Sequence, residues 1–137
     1  MGKKVLVGGT FNILHPGHVL FLKKAKALGD TLVVVVASDR TVLKEKDLLL
    51  FPARKRAGLL RQLGFIDKVV LGSERDRLEV VERERPDIIA LGHDQKGAAG
   101  LRKELKERGL TCKVVRIKDR LKGWSTRIIR ERKRKQG

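Results

Sequence analysis

An α/β fold is what this sequence predicts: a Rossmann-like, doubly wound sheet of five parallel strands with helices on both faces. Three observations carry the prediction. Short runs rich in Val, Leu and Ile alternate five times with longer segments of helical periodicity. Several of these runs are apolar almost without a break, the pattern of strands covered on both faces. The first run leads through a glycine pair to a helix start, at the strand end where such folds hold their ligands.

The strands expected are Lys4–Val7, Thr31–Ala37, Lys68–Leu71, Asp87–Leu91 and Lys113–Ile117. The helices expected are His18–Leu28, Pro52–Leu63, Arg75–Glu84, Ala98–Arg108 and Ser125–Lys135. Val19, Leu22, Ala25 and Leu28 set the first helix by their spacing, and Gly29 follows it as a C-cap would. Pro52 opens the second at a favoured early position, and Pro86 separates the third from the fourth strand. Residues 38–51 are expected to be irregular, charged and then apolar, a candidate mobile lid. No repeat or linker divides the chain, so residues 1–137 are expected to form one domain ending in a basic helix at 125–135.

Composition narrows the partners. The chain of 137 residues carries 33 Lys and Arg against 16 acids, a net charge of +17, which points to anionic ligands. Residues 118–137 hold nine of the basic residues against two acids. Four Phe, one Trp and no Tyr leave few platforms on which bases stack, so a nucleic-acid partner is not expected. Charged residues reach 36% while Asn, Gln, Cys and Met are scarce, a heat-adapted composition. No apolar run approaches the roughly 18 residues of a membrane span. The single Cys112 excludes an internal disulfide, and a cytoplasmic location is expected.

The chemistry concentrates in Gly8-Gly9-Thr10-Phe11-Asn12-Ile13-Leu14-His15-Pro16-Gly17-His18. A helix N-terminus offers unpaired N–H groups and a positive dipole end to a phosphate. Residues three apart share a helix face, so His15 and His18 can point together at one anion. Gly9 and Thr10 would bring backbone and a hydroxyl close to it, with Phe11 beside them. No third glycine completes a dinucleotide fingerprint, and no Walker A sequence or Ser/His/Asp set is present.

Gly-Thr-Phe-Asn-x-x-His-x-Gly-His resembles the signature of the cytidylyltransferase-like nucleotidyltransferase superfamily, usually written with Asp where this chain has Asn12. The resemblance implies metal-assisted transfer of a nucleoside monophosphate with release of pyrophosphate, the two histidines stabilising the transition state. It extends to Lys44 and Lys46, matching basic residues of the loop after strand two, and to Arg56 at a helix start before Ile66-Asp67, an assignment for which Arg54 competes. Gly92 and Asp94 match the segment after strand four, with Gly92 passing the base and Asp94 reaching the nucleotide or its metal. Arg120-Leu121-Lys122-Gly123-Trp124-Ser125-Thr126 resembles the closing motif of glycerol-3-phosphate and related cytidylyltransferases, which implies that Arg120, Ser125 and Thr126 hold the outer phosphates. Beyond Asp94, no side chain is assigned to a metal. The divalent ion, Mg²⁺ or Co²⁺, is expected to be held largely by substrate phosphates and waters.

Val-x-Gly-Gly-Thr-Phe, Ser-Asp-Arg-Thr-Val, Pro-Asp-Ile-Ile-Ala-Leu-Gly-His-Asp-Gln and Ser-Thr-Arg-Ile-Ile-Arg look most like the archaeal-type FAD synthases. That resemblance implies ATP and FMN as substrates. The alternative is a glycerol-3-phosphate cytidylyltransferase making CDP-glycerol from CTP. A homodimer is implied by resemblance alone.

Overall fold

The computed structural model describes residues 2–12, 14–46, 48–92 and 97–117. The five strands form where expected: β1 (Lys4–Gly9), β2 (Thr31–Val36), β3 (Lys68–Leu71), β4 (Ile88–Leu91) and β5 (Lys113–Arg116). They make one parallel sheet in the order β3-β2-β1-β4-β5. The helices are α1 (Pro16–Lys26), α2 (Asp39–Lys46), α3 (Ala53–Arg61), α4 (Glu79–Glu84) and α5 (Ala98–Glu107). The expected helix at 125–135 lies outside the described residues. Among the described residues no helix is long and apolar enough to cross a membrane.

The unbroken apolar runs divide between two cores because successive residues of a strand point to opposite faces. Val5, Val7, Leu32, Val34, Val36, Ile88 and Ala90 pack on one side with Leu22 and Ala25 of α1 and Ala57 and Leu60 of α3. Leu6, Val33, Ile89 and Val114 face the other side, covered by Val80 and Val81 of α4 and Leu101 and Leu105 of α5. The chain winds outward from β1 to β3, then returns to place β4 on the other flank of β1. Right-handed crossovers in opposite directions put the two helix pairs on opposite faces. The reversal falls between β1 and β4, and their carboxyl ends frame the crevice where a doubly wound fold binds its ligand.

Two expectations are corrected. Residues 39–46 are helical: Ser38 Oγ accepts the Thr41 N–H (3.1 Å) as an N-cap, and Asp39 sits in the first turn. Among the described residues, 48–52 stay irregular between α2 and α3. Gly29 is not a left-handed cap, since α1 closes on Ala27 in right-handed geometry. A Cβ at position 29 would lie 2.7 Å from the Lys3 carbonyl oxygen and 2.8 Å from Val5 Cγ2. The glycine lets the chain pass against β1. Gly29→Ala is expected to cost about 1–3 kcal/mol through forced displacement of that backbone, read as a lowered urea midpoint. An unchanged midpoint would show that the turn yields freely.

At the amino edge of the sheet, acids tie strand starts together. Asp30 and Asp87 accept the N–H groups of Lys3 and Lys4, each at 2.8 Å, and Asp67 accepts that of Leu32 at 2.7 Å. Buried Glu84 receives Lys68 at 2.8 Å and lies 3.6 Å from both Lys4 and Arg83. The Lys68 hydrogen bond, with the neighbouring charges, holds its carboxyl below the ordinary 4.5. This edge is structural and leaves the opposite one for chemistry.

Candidate active site

β1 delivers Gly8 and Gly9 to the carboxyl edge, where the Ala37 N–H donates to the Gly9 carbonyl (2.9 Å). A Cβ on Gly9 would sit 2.9 Å from the ring of Phe11. Phe11 adopts φ 48°, a left-handed conformation that costs a non-glycine residue roughly 1–3 kcal/mol. The twist turns its ring into the core, where it is 5% exposed, with an edge against His18 (centroids 5.4 Å apart). Gly9 thus makes room for Phe11, and the Phe11 ring buttresses His18 instead of lining a ligand surface.

The two histidines are brought together. Gly17 N–H donates to His15 Nδ1 (3.1 Å), and His15 N–H donates to His18 Nδ1 (3.3 Å). This is a reciprocal N-terminal box in which imidazoles stand where Ser and Glu usually do. Pro16 at the first helical position needs no N–H partner. The rings stack with centroids 3.9 Å apart and planes 22° apart. Each Nδ1 accepts a backbone proton, so each neutral ring carries its own proton on Nε2. Burial lowers the His15 pKa below the ordinary 6.5, which keeps that ring neutral. The result is a fixed pair of Nε2–H donors at a helix N-terminus.

Arg56 is almost wholly buried, whereas Arg54 is exposed. The Arg56 guanidinium donates to the carbonyls of Phe51 (2.9 Å), Thr10 (2.7 Å) and Ala37 (2.8 Å), and to Asp39 Oδ1 (2.8 Å). It binds the exits of β1 and β2 to the starts of α2 and α3. Those four bonds make it a clamp behind the turn.

Thr10 is half-buried, with its carbonyl in that clamp. Lys44 stands exposed in the last turn of α2, beside Lys46. Gly92 closes β4, and its carbonyl accepts Arg116 Nη1 (2.7 Å). Asp94, Arg120, Ser125 and Thr126 lie outside the described residues. Reasoning from sequence placed Asp39 at the ligand end of the second strand but gave it no role; its Oδ1 serves both Arg56 and the Ala53 N–H (2.7 Å). It also left Asn12 without a role, although the side chain is 2% exposed and doubly hydrogen bonded. For Asn12 the available signal was an amide inside an apolar frame; for Asp39 it was its place just after the helix cap Ser38.

A cytidylyltransferase-like family profile matches residues 6–132. An FAD synthase of Methanosarcina barkeri is 48% identical over 83% of this chain and 82% of its own length. An FAD synthase of Methanococcoides burtonii is also 48% identical, over 87% of this chain and 83% of its own. A crystal structure described as a lipopolysaccharide core biosynthesis protein of Thermoplasma volcanium superposes with a TM-score of 0.83 at 41% identity, covering 87% of this chain and 98% of that one. With the signature turn, the doubly wound sheet and these relatives together, the chain belongs to the cytidylyltransferase-like family and groups within it with the archaeal FAD synthases.

Proposed function

We propose that the protein is an FMN adenylyltransferase, transferring AMP from ATP to FMN to give FAD and pyrophosphate. The observation that carries the reaction type is the stacked His15–His18 pair with both Nδ1 atoms occupied by backbone N–H groups. Similarity to FAD synthases along most of the chain supports ATP and FMN as the substrates.

A phosphate oxygen of FMN attacks the α-phosphorus of ATP. The new P–O bond forms as the bond from that phosphorus to the β-phosphate oxygen breaks, and pyrophosphate leaves with the electron pair. Negative charge builds on the α-phosphoryl oxygens and the departing bridge oxygen. Two Nε2–H donors and the start of α1 stabilise it without having to reorganise. No protein nucleophile takes part. Among the described residues no three His, Cys, Asp or Glu side chains converge as a metal group. Mg²⁺ or Co²⁺ would enter with ATP, held largely by its phosphates and by water, and would offset the charge on them. Lys44, Gly92, Asp94, Arg120, Ser125 and Thr126 remain the proposed nucleotide and phosphate contacts.

Incubation with ATP, Mg²⁺ or Co²⁺ and FMN is expected to yield FAD and pyrophosphate in equal amounts. CDP-glycerol formed from CTP and glycerol 3-phosphate, with no FAD from ATP, would overturn the reading.

A further inference from the structure

Residues 48–51 form an irregular strap between α2 and α3, attached to the site through its backbone. Asn12 Nδ2 donates to the Leu48 carbonyl (2.6 Å), and the Leu50 N–H donates to Asn12 Oδ1 (3.0 Å). Arg56 Nε holds the Phe51 carbonyl (2.9 Å). The two partners of Asn12 demand opposite chemistry: one needs a donor, the other an acceptor. A carboxamide meets both with one planar group, and the partners fix which way it points. Held by its backbone, the strap leaves Leu50 and Phe51 each 36% exposed.

The placement matters. The crevice at the β1/β4 switch point takes the nucleotide in a doubly wound fold. The strap follows β2 and α2, on the other flank of β1, and joins the signature turn three residues before His15. A nucleotide in the crevice leaves this flank to the second substrate. An apolar edge beside a phosphate-holding turn suits a flat, largely apolar ring system that carries a phosphate.

We propose that Asn12 is a positioning residue for the acceptor, clasping the strap at Leu48 and Leu50 so that its apolar edge stands at a fixed place beside the phosphate-holding turn. The clasp deepens the FMN reading and rests on it. Its energetic role is pre-organisation: a strap already ordered need not be ordered at the expense of substrate binding.

The test uses the full chain, with Asn12→Ala and Asn12→Asp compared with wild type. Asn12→Ala removes both hydrogen bonds. Asn12→Asp is nearly isosteric, keeps the acceptor for Leu50 and turns an oxygen against the Leu48 carbonyl. Both variants are expected to raise the KM for FMN about tenfold, roughly what one or two such hydrogen bonds supply. The KM for ATP and the kcat at saturation should stay within about twofold. Amide exchange at Leu50 should accelerate in Asn12→Ala while Val34, buried in β2, keeps its protection. If the alanine variant does not fold, the aspartate variant carries the test.

Equal rises in both KM values would make Asn12 a general structural residue and overturn the proposal. So would a wild-type KM for FMN in either folded variant, even with Leu50 exchange accelerated. A wild-type protein that forms no FAD would sink the functional reading itself, an outcome visible before any variant is compared.

Discussion

Replacing His18 with Ala is expected to lower kcat by about 10²- to 10³-fold, the usual loss for one pre-organised donor at a developing charge. Replacing His15 with Ala should cost a similar factor. The double variant should fall well short of the product of the two, because stacked rings aimed at one phosphoryl group act as a unit. Folding should survive. His15→Ala removes an N-cap acceptor, worth about 1 kcal/mol. His15→Asn separates the two roles: Asn caps helices well, so stability should return while the rate stays low. Titration provides a second check. The folded-state pKa of His15 lies below its unfolded 6.5, so the unfolded chain binds the proton first. The stability tied to this group is complete above pH 6.5 and is lost as pH falls through the lower, folded value. Protonation places a hydrogen on Nδ1 and breaks the bond from Gly17, so the acid limbs of kcat/KM and of thermal stability should fall together. Near-wild-type kcat in both His15→Ala and His18→Ala would refute the role given to the pair.

The parts legible in the sequence are those whose cause is local. The strands were readable because burial on both faces demands apolar residues without interruption, as in Leu32 to Val36. The histidine pair was readable because a three-residue spacing becomes one helix face in any context. What escaped depends on contacts between distant segments. Gly29 looked like a cap, but its real constraint is the carbonyl of Lys3, supplied by β1. α2 was missed because it buries a single residue, Val42, so its periodicity is nearly silent. Its cap, Ser38, and the first-turn Asp39 were the better signal. Asn12 resisted explanation because its partners lie 36 and 38 residues away.

Arg56→Ala is expected to destabilise the fold by about 3–5 kcal/mol, the loss typical when one partner of a buried charged network is deleted. For a chain of this size that lowers Tm by roughly 10–15 °C. The expected loss is large because of what the side chain leaves behind. Three carbonyls, from Thr10, Ala37 and Phe51, lose a charged donor in a site that water does not readily enter. The ion pair is the smaller part. Asp39 is 44% exposed, so solvent screens its side of the interaction. Asp39→Asn keeps an acceptor for both Arg56 and the Ala53 N–H, and should cost only about 1–2 kcal/mol. Arg56→Lys should recover little: a single ammonium cannot reproduce a planar fork that spans four acceptors from separate segments. These three variants distinguish a clamp from a substrate contact. A clamp loses stability in the order Ala, then Lys, then the Asp39 change, and its rate falls because the exits of β1 and β2 lose their registration. A substrate contact would lose rate with Tm intact. Urea denaturation beside steady-state kinetics decides between them: an Arg56→Lys protein as stable as wild type and a thousandfold slower would return Arg56 to the catalytic face.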